Sequence, residues 1–193
     1  MTDMTQERFV MPALALRGIT VFPNLLLHFD VGRAPSIRAL EEAMAGGRDI
    51  FLVTQRDLSV ETPDRNDLYT VGTIASVKQI LRLPENNVRV MVEGKYRGRM
   101  LDLLSADPYL KAEIEPICSV PAAGNNSPRT EALIRQVYTL MEHYTELSDR
   151  VASEVYLKVL ASDNPGYISD YAAQNLPLRF KAEYHGTDAA EGG

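Results

Sequence analysis

The sequence predicts an α+β protein, with a mostly antiparallel β domain that contains one short helix, followed by an α-helical bundle. Apolar residues alternate with polar ones over much of the first 120 residues, as in strands with one buried face. Further on they recur every three or four residues, as in amphipathic helices. The region between, residues 120–128, is rich in small residues, Pro, Gly and Asn, which is typical of a linker.

One short helix lies in the β domain. Ser36 is its candidate N-cap, because a serine hydroxyl can accept a hydrogen bond from a free amide of the first turn. Ile37, Leu40 and Met44 share one face of this helix, and Gly46 is expected to end it.

The remaining segments of the β domain are extended. The apolar run at residues 50–53 predicts a buried strand. Apolar residues at odd-numbered positions follow a long strand over residues 71–83, and turn residues at 84–87 connect it to three alternating valines within residues 88–92. This pattern predicts a hairpin with one buried face. Residues 110–115 predict a further half-exposed strand, so the whole is expected to form a twisted sheet or partial barrel.

The second part of the chain predicts three helices. Ser127 is a candidate N-cap, with Pro128 at the first helical position, where its missing N–H does no harm. The apolar stripe of this first helix comprises Leu133, Val137, Leu140, Tyr144 and Leu147. A second helix is expected at residues 153–160 and a third after Asn164, ended by Pro177.

The composition limits the classes of function. Of the 193 residues, 45% are hydrophobic and 24% are charged, which are ordinary values for a globular chain. A net charge of −6 and a pI of about 5.1 disfavour nucleic acid as a partner. A single cysteine (Cys118), no long apolar run and no secretory start favour a cytoplasmic protein without a membrane partner.

Catalytic and metal-binding patterns are not found in the sequence. Gly94–Lys95 lacks the glycine spacing of a phosphate-binding loop, and neither a nucleophile elbow nor a zinc-protease histidine pair is present. The three histidines, His28, His143 and His185, are far apart and are expected to be structural or solvated. No metal and no cofactor is therefore predicted for this chain.

Two segments are candidates for binding. Lys95, Arg97 and Arg99 share one face of a strand, where they can contact a phosphate or an acidic peptide, although a solvated strand face is the favoured interpretation. The segment at residues 25–29 is too apolar for a simple alternating strand, so part of it is predicted to be exposed as the wall of a groove.

Six blocks of sequence, in order, resemble the N-terminal domain of the ATP-dependent protease Lon. The first, ALRGITVFP at residues 15–23, is similar to the opening LPLRDVVVFP of that domain. The others lie at residues 31–33, 36–41, 67–75, 81–84 and 88–94, and the resemblance covers about residues 10–180. It implies a PUA-like β domain followed by a helical bundle. The expected domains are an N-terminal tail (1–9), the β domain (10–120), a linker (121–128), the bundle (129–180) and a flexible tail (181–193).

The resemblance also implies a function. In the family this region recognises unfolded or degron-bearing proteins and supports assembly of a homo-hexamer, within a protease that degrades misfolded and regulatory proteins. ATP with Mg²⁺ is expected only in a downstream ATPase module, and peptide cleavage only in a Ser–Lys protease module. This chain has the motifs of neither, so we expect it to be non-catalytic.

The expected substrate contacts are two apolar residues, Leu25 and Leu27, and the exposed turn around Arg33 and Ser36. One departure affects that turn, because Ala-Pro stands at positions 34–35, where the family commonly has Glu-Lys.

Other interpretations remain open. The family's long charged helix is not recognisable after residue 178, which favours a fragment of a longer protease over a stand-alone Lon-domain binding protein. An RNA-binding module is a further alternative, since PUA-like folds elsewhere bind RNA, and it would use the basic strand face.

Overall fold

The computed structural model describes residues 8–117, 127–147 and 153–176. The chain divides into two compact units, Met1–Cys118 and Ser119–Gly193. The elements of the first unit are β1 (Phe9–Leu16), β2 (Leu26–Val31), α1 (Ala34–Ala45), β3 (Asp49–Thr54), β4 (Val71–Arg82), β5 (Val88–Ser105) and β6 (Lys111–Pro116). Those of the second are α2 (Pro128–Leu147), α3 (Ser153–Leu160) and α4 (Pro165–Asn175). The predicted α+β class is confirmed.

The strands form one sheet that closes on itself. Their order is β2-β5-β4-β3-β1-β6, and β6 also pairs with β5. Closure is possible because β5 has 18 residues, so its first half pairs with β2 and its second half with β6. The β1–β3 pair is parallel, and the other described ladders are antiparallel. Parallel neighbours need a long connection, which here consists of β2 and α1.

The core lies on both faces of β1 and β3. Leu14 and Leu52 belong to an apolar cluster that also takes in the buried face of α1, whereas the adjacent Ala13 and Phe51 belong to a second cluster. A strand buried on both faces has no polar alternation. This explains the continuous apolar run that predicted β3, and it explains why the sequence pattern did not reveal β1.

The predicted alternation of β4 is correct only in its first half. Val71 and Val77 are buried as expected, but Leu81 is exposed and Ile80 packs against the core instead. The ladder with β5 shifts its register between Val77 and Gln79. Such an irregularity adds one residue to a strand and reverses which side chains face inward.

The start of α1 differs from the prediction. The helix begins at Ala34, with Arg33 as its N-cap and Pro35 in the first turn. Ser36 is not the cap, because it lies inside the first turn and its side chain is buried. Proline favours the first helical turn, and this signal outweighed the serine. Gly46 is the C-cap, as predicted.

Gly94 allows two backbone segments to meet closely. It donates a hydrogen bond to the carbonyl oxygen of Leu25 and accepts one from the amide of Asn24, both at 2.9 Å. A Cβ atom at position 94 would overlap the carbonyl oxygen of Phe22. Glycine is therefore required here by the loop that precedes β2.

Two helices of the second unit, α2 and α4, begin with the predicted caps. Ser127 Oγ accepts from the amide of Thr130 at 3.2 Å, and Asn164 Oδ1 accepts from the amide of Gly166 at 2.9 Å. The predicted apolar stripe of α2 is not the face that is buried within this unit. The buried residues of the helix are Ile134 and Met141, whereas the stripe leucines Leu133, Leu140 and Leu147 are exposed. The buried face lies one position further along the helix than the apolar stripe. Tyr138 is on this buried face, and its hydroxyl donates to the carbonyl oxygen of Ser162.

Within the described residues, no helix is long and apolar enough to cross a membrane. Cys118, Pro177, His185, most of the predicted linker and the predicted C-terminal tail lie outside the described residues.

Candidate functional site

A cleft of about 420 Å³ in the first unit is the candidate functional site. Its lining is largely apolar and includes two arginines: Ala13, Arg17, Arg33, Ala34, Pro35, Ser36, Glu61, Thr62, Pro63, Ala106 and Leu110. This volume falls in the range of clefts that hold small ligands or short peptide segments.

Four separate parts of the chain form the cleft. They are the end of β1 with Arg17, the first turn of α1, the loop at residues 61–63 and the β5–β6 connection. The amide of Ala13 donates to the carbonyl oxygen of Leu110 at 2.7 Å, which fixes the β5–β6 connection against β1. The site is thus built on the closed sheet and not on a single loop.

Arg33 joins two of these parts. Its Nη2 donates to the carbonyl oxygen of Ala15 at 2.6 Å, and its Nη1 donates to that of Glu61 at 3.1 Å. The side chain is half-buried, and it extends from the N-terminus of α1 to β1 and to the loop. Arg33 therefore sets the position of the loop wall relative to the helix.

Arg17 joins the loop to β3 in a similar way. Its Nη2 donates to the carbonyl oxygen of Val60 at 2.6 Å, and its Nε donates to Oε1 of Gln55 at 3.3 Å. Gln55 is completely buried and also donates from Nε2 to the carbonyl oxygen of Val60 at 3.0 Å. A buried amide with this many partners is a strong positional constraint.

Arg17 and Arg33 give the cleft positive charge. Neutral carbonyl oxygens of the backbone and of the Gln55 side chain hold the two guanidinium groups in place. Burial, together with the nearby cation of Arg17, lowers the pKa of the Arg33 guanidinium below its ordinary value. Among the described residues, the ion pairs involve other arginines, such as Arg89 with Asp30 and Arg82 with Glu41, and neither Arg17 nor Arg33 takes part. An anion in the cleft would relieve the repulsion between the two guanidinium groups.

The structure brings together two of the four predicted substrate contacts. Arg33 and Ser36 both line the cleft, although Ser36 is buried and not exposed as expected. Leu25 and Leu27 are not among the cleft residues.

The exposure predicted for Leu25 is wrong. Its side chain is only 8% exposed, and Leu27 is half-buried against the main core cluster. The exposed leucine of this segment is Leu26, at 55%, because β2 pairs with β5 along one edge and directs alternate side chains outward.

Two of the three residues of the basic strand face, Lys95 and Arg99, contact carboxylates. Lys95 Nζ lies 2.6 Å and 2.8 Å from the two carboxylate oxygens of Asp49, and Arg99 Nε lies 4.0 Å from Glu115 Oε2. These pairs support the interpretation of a solvated, ion-paired strand face over a phosphate-binding one.

Sequence reasoning missed Arg17, Glu61 and Pro63 as site residues. Arg17 lies in the first block that resembles the Lon domain, whereas Glu61 and Pro63 lie in none of the blocks and stand more than 40 positions later, so their meeting with Arg17 depends on the tertiary fold. Within the described residues no group of three or more potential metal-ligating side chains occurs together.

Comparison with known proteins gives consistent matches along most of the chain. A family model described as the ATP-dependent protease La (LON) substrate-binding domain matches residues 10–185. The chain is 40% identical over 178 residues to the Lon protease of Syntrophomonas wolfei subsp. wolfei, and 40% identical over 171 residues to that of Brevibacillus choshinensis. These matches cover 92% and 89% of the chain but only 22% of each relative. The chain thus spans about a fifth of the length of the curated relatives it matches.

Solved structures show the same fold. The N-terminal domain of the Mycobacterium avium complex Lon protease has a TM-score of 0.65 at 16% identity, covering 93% of this chain and 98% of that one. The Lon N-terminal domain protein from Xanthomonas campestris has a TM-score of 0.63 at 13% identity, covering 92% and 88%. The resemblance of the sequence blocks is therefore confirmed, and the chain belongs to the family of Lon protease N-terminal, substrate-binding domains.

Proposed function

We propose that this chain is a non-catalytic substrate-recognition and assembly domain of a cytoplasmic, Lon-type ATP-dependent serine protease. It binds unfolded or degron-bearing proteins, including misfolded and regulatory ones, and it associates with copies of itself in a homo-hexamer. ATP hydrolysis with Mg²⁺ and peptide cleavage belong to other segments of the protease, and neither nucleic acid nor a membrane is a partner.

The cleft beside Arg33 is the observation that carries the recognition part of this proposal. Its lining is largely apolar. An extended segment can insert apolar side chains there, whereas a folded protein keeps most of its apolar side chains buried. Such single contacts are weak, which suits a substrate that must be released. Several copies of the domain in one assembly would restore affinity by binding one substrate at several points.

Binding of an unfolded protein by the full chain tests the proposal. The probe is hen lysozyme, reduced and carbamidomethylated so that it stays unfolded, with native lysozyme as the control of equal length and nearly equal charge. At 0.15 M salt we expect fluorescence anisotropy to show saturable binding of the unfolded form and none of the native form. Equal binding of both forms, or of neither, would contradict recognition of unfolded chains.

The substitution Ala106→Phe tests whether the cleft is the substrate-binding site. Ala106 is exposed and lines the cleft, so phenylalanine fills the space without removing a hydrogen bond. The matched control is Ala161→Phe, at an exposed position in the second unit. We expect only Ala106→Phe to weaken binding of unfolded lysozyme. A wild-type affinity for Ala106→Phe would place the substrate site elsewhere on the domain.

A further inference from the structure

The two arginines of the cleft retain hydrogen-bonding capacity. Arg17 uses Nε and one N–H of Nη2, and Arg33 uses one N–H of each terminal nitrogen. A guanidinium has five N–H groups, so each side chain has three left. Their existing partners are a neutral amide and backbone carbonyl oxygens, which hold the groups in place without neutralising them.

Three other cations of this unit pair with carboxylates. Lys78 lies 2.6 Å from Glu93, Lys95 contacts Asp49, and Arg89 forms two short contacts with Asp30. Lys78, Lys95 and Arg89 thus have carboxylate partners, while Arg17 and Arg33 do not. The cleft is a positive site in a chain whose net charge is −6.

Glu61, the acidic residue among the lining residues of the cleft, does not form an ion pair with either arginine. Glu61 lines the cleft, but its backbone and not its carboxylate contacts Arg33, and no ion pair within 4.0 Å joins it to either arginine. The first turn of α1 adds the positive end of a helix dipole to the same wall. These features together are complementary to a carboxylate, and the neighbouring Pro35, Pro63 and Leu110 are complementary to apolar groups beside it.

We propose that the cleft binds a Glu or Asp side chain within an extended, otherwise apolar protein segment, with Arg17 and Arg33 contacting the carboxylate. This inference rests on the proposed function and names the chemistry of its substrate. The cleft is open to solvent, so a chain is not required to end inside it. An internal acidic residue is therefore the expected occupant, in preference to a terminal carboxylate.

Three labelled peptides of eight residues test the proposal against the full chain. One has a central Glu among Ala, Val and Leu residues, with acetylated and amidated ends. The second replaces this Glu with Gln, and the third is the Gln peptide with a free C-terminal carboxylate. We expect the Glu peptide to bind about tenfold more tightly than the amidated Gln peptide, the gain typical of a charge-assisted hydrogen bond.

Four variants test whether the residues of the cleft are responsible for the preference for the Glu peptide. Arg17→Met keeps the aliphatic part of the side chain, and we expect it to abolish the preference for Glu over Gln. Glu61→Gln removes a negative charge from the cleft and is expected to strengthen binding of the Glu peptide. Ala106→Phe is expected to block both peptides while leaving the arginines in place. Arg82→Met, outside the cleft, serves as the control and should keep the wild-type preference.

Several outcomes would overturn the inference. Equal affinity for the Glu and Gln peptides would show that the carboxylate is not recognised, and tighter binding of the free C-terminal peptide would assign the cleft to chain ends. Displacement of the Glu peptide by a ten-residue uridine oligonucleotide at 0.15 M salt would favour phosphate instead. If unfolded lysozyme still binds in these cases, the proposed function stands without this inference. If it does not bind at all, the proposed function itself fails.

Discussion

Arg17 and Gln55 hydrogen-bond to each other at 3.3 Å, and both side chains donate to the carbonyl oxygen of Val60. This arrangement ties the end of β1 and the end of β3 to the loop that forms one wall of the cleft. Gln55 is completely buried, so its amide has no access to water when these bonds are broken. The geometry of the cleft thus depends on a residue that does not line it.

Gln55→Ala is expected to destabilise the first unit by about 1–3 kcal/mol, because it leaves buried polar groups without partners. The chain has no tryptophan, so the intensities of methyl resonances from the buried isoleucines of the sheet, followed in urea, give the free energy of unfolding. Gln79→Ala, at an exposed position of β4, is the matched control and should change stability by less than about 0.5 kcal/mol. Equal effects of the two substitutions would show that the buried network contributes nothing.

Gly94→Ala is expected to lower the stability of the first unit by about 1–3 kcal/mol or more, because the new methyl group overlaps the carbonyl oxygen of Phe22. Gly47→Ala is the control, since a Cβ atom there meets nothing within 4 Å. The same urea measurement compares the two variants. A stable Gly94→Ala protein with an unchanged β2–β5 ladder would show that the preceding loop can move away without cost.

Leu25→Ala and Leu26→Ala separate the core from the surface within one apolar segment. Leu25 is buried, so its truncation is expected to cost about 2–5 kcal/mol of stability. Leu26 is more than half exposed, so its truncation should cost less than about 1 kcal/mol. Similar losses in urea denaturation would contradict the orientation of β2. A charged residue at position 25 is consequently expected to unfold the domain and is unsuitable for testing substrate binding.

The sequence predicted structural features that depend on neighbouring residues, and it failed for features that depend on residues far apart in the chain. The cap at Asn164 and the buried strand β3 depend on residues close together in the chain, and both were predicted. The inward-facing side chains of β4 after Val77 depend on a register shift against β5, which no local pattern records. The face of α2 that is buried within the second unit depends on where the neighbouring helices lie, so the apolar stripe alone could not identify Ile134 and Met141.

The cleft follows the same rule. Arg33 and Ser36 were predicted because they flank a turn between two adjacent blocks that resemble the Lon family, and both line the cleft. Arg17 and Glu61 are 44 positions apart and meet only because β1 and β3 are parallel neighbours whose ends lie at the same side of the sheet. The sequence could predict the residues of one helix turn, but not the partners that the sheet brings to it.

The ion pair between Asp30 and Arg89 is expected to make the stability of the fold depend on pH. These residues face each other across the β2–β5 ladder, and the guanidinium of Arg89 donates to both carboxylate oxygens, at 2.7 Å and 2.8 Å. These hydrogen bonds lower the pKa of Asp30 from its ordinary value of 3.8. A depressed carboxyl pKa means that the pair stabilises the fold at pH values above that ordinary value. The stabilisation is lost as the pH falls through the lower pKa of the folded protein.

Titration of the Asp30 side-chain carboxyl by carbon NMR measures this effect directly. In the wild-type chain the midpoint should lie below 3.8, and in Arg89→Gln it should move up towards that value, because glutamine has no charge to favour the carboxylate. Arg82→Gln removes an exposed arginine that pairs with Glu41 instead, so it should leave the Asp30 midpoint unchanged. If Arg89→Gln titrates as the wild type does, the short contacts between the two side chains are not maintained in solution. The pairing of β2 with β5 would then depend on backbone hydrogen bonds and buried apolar side chains alone.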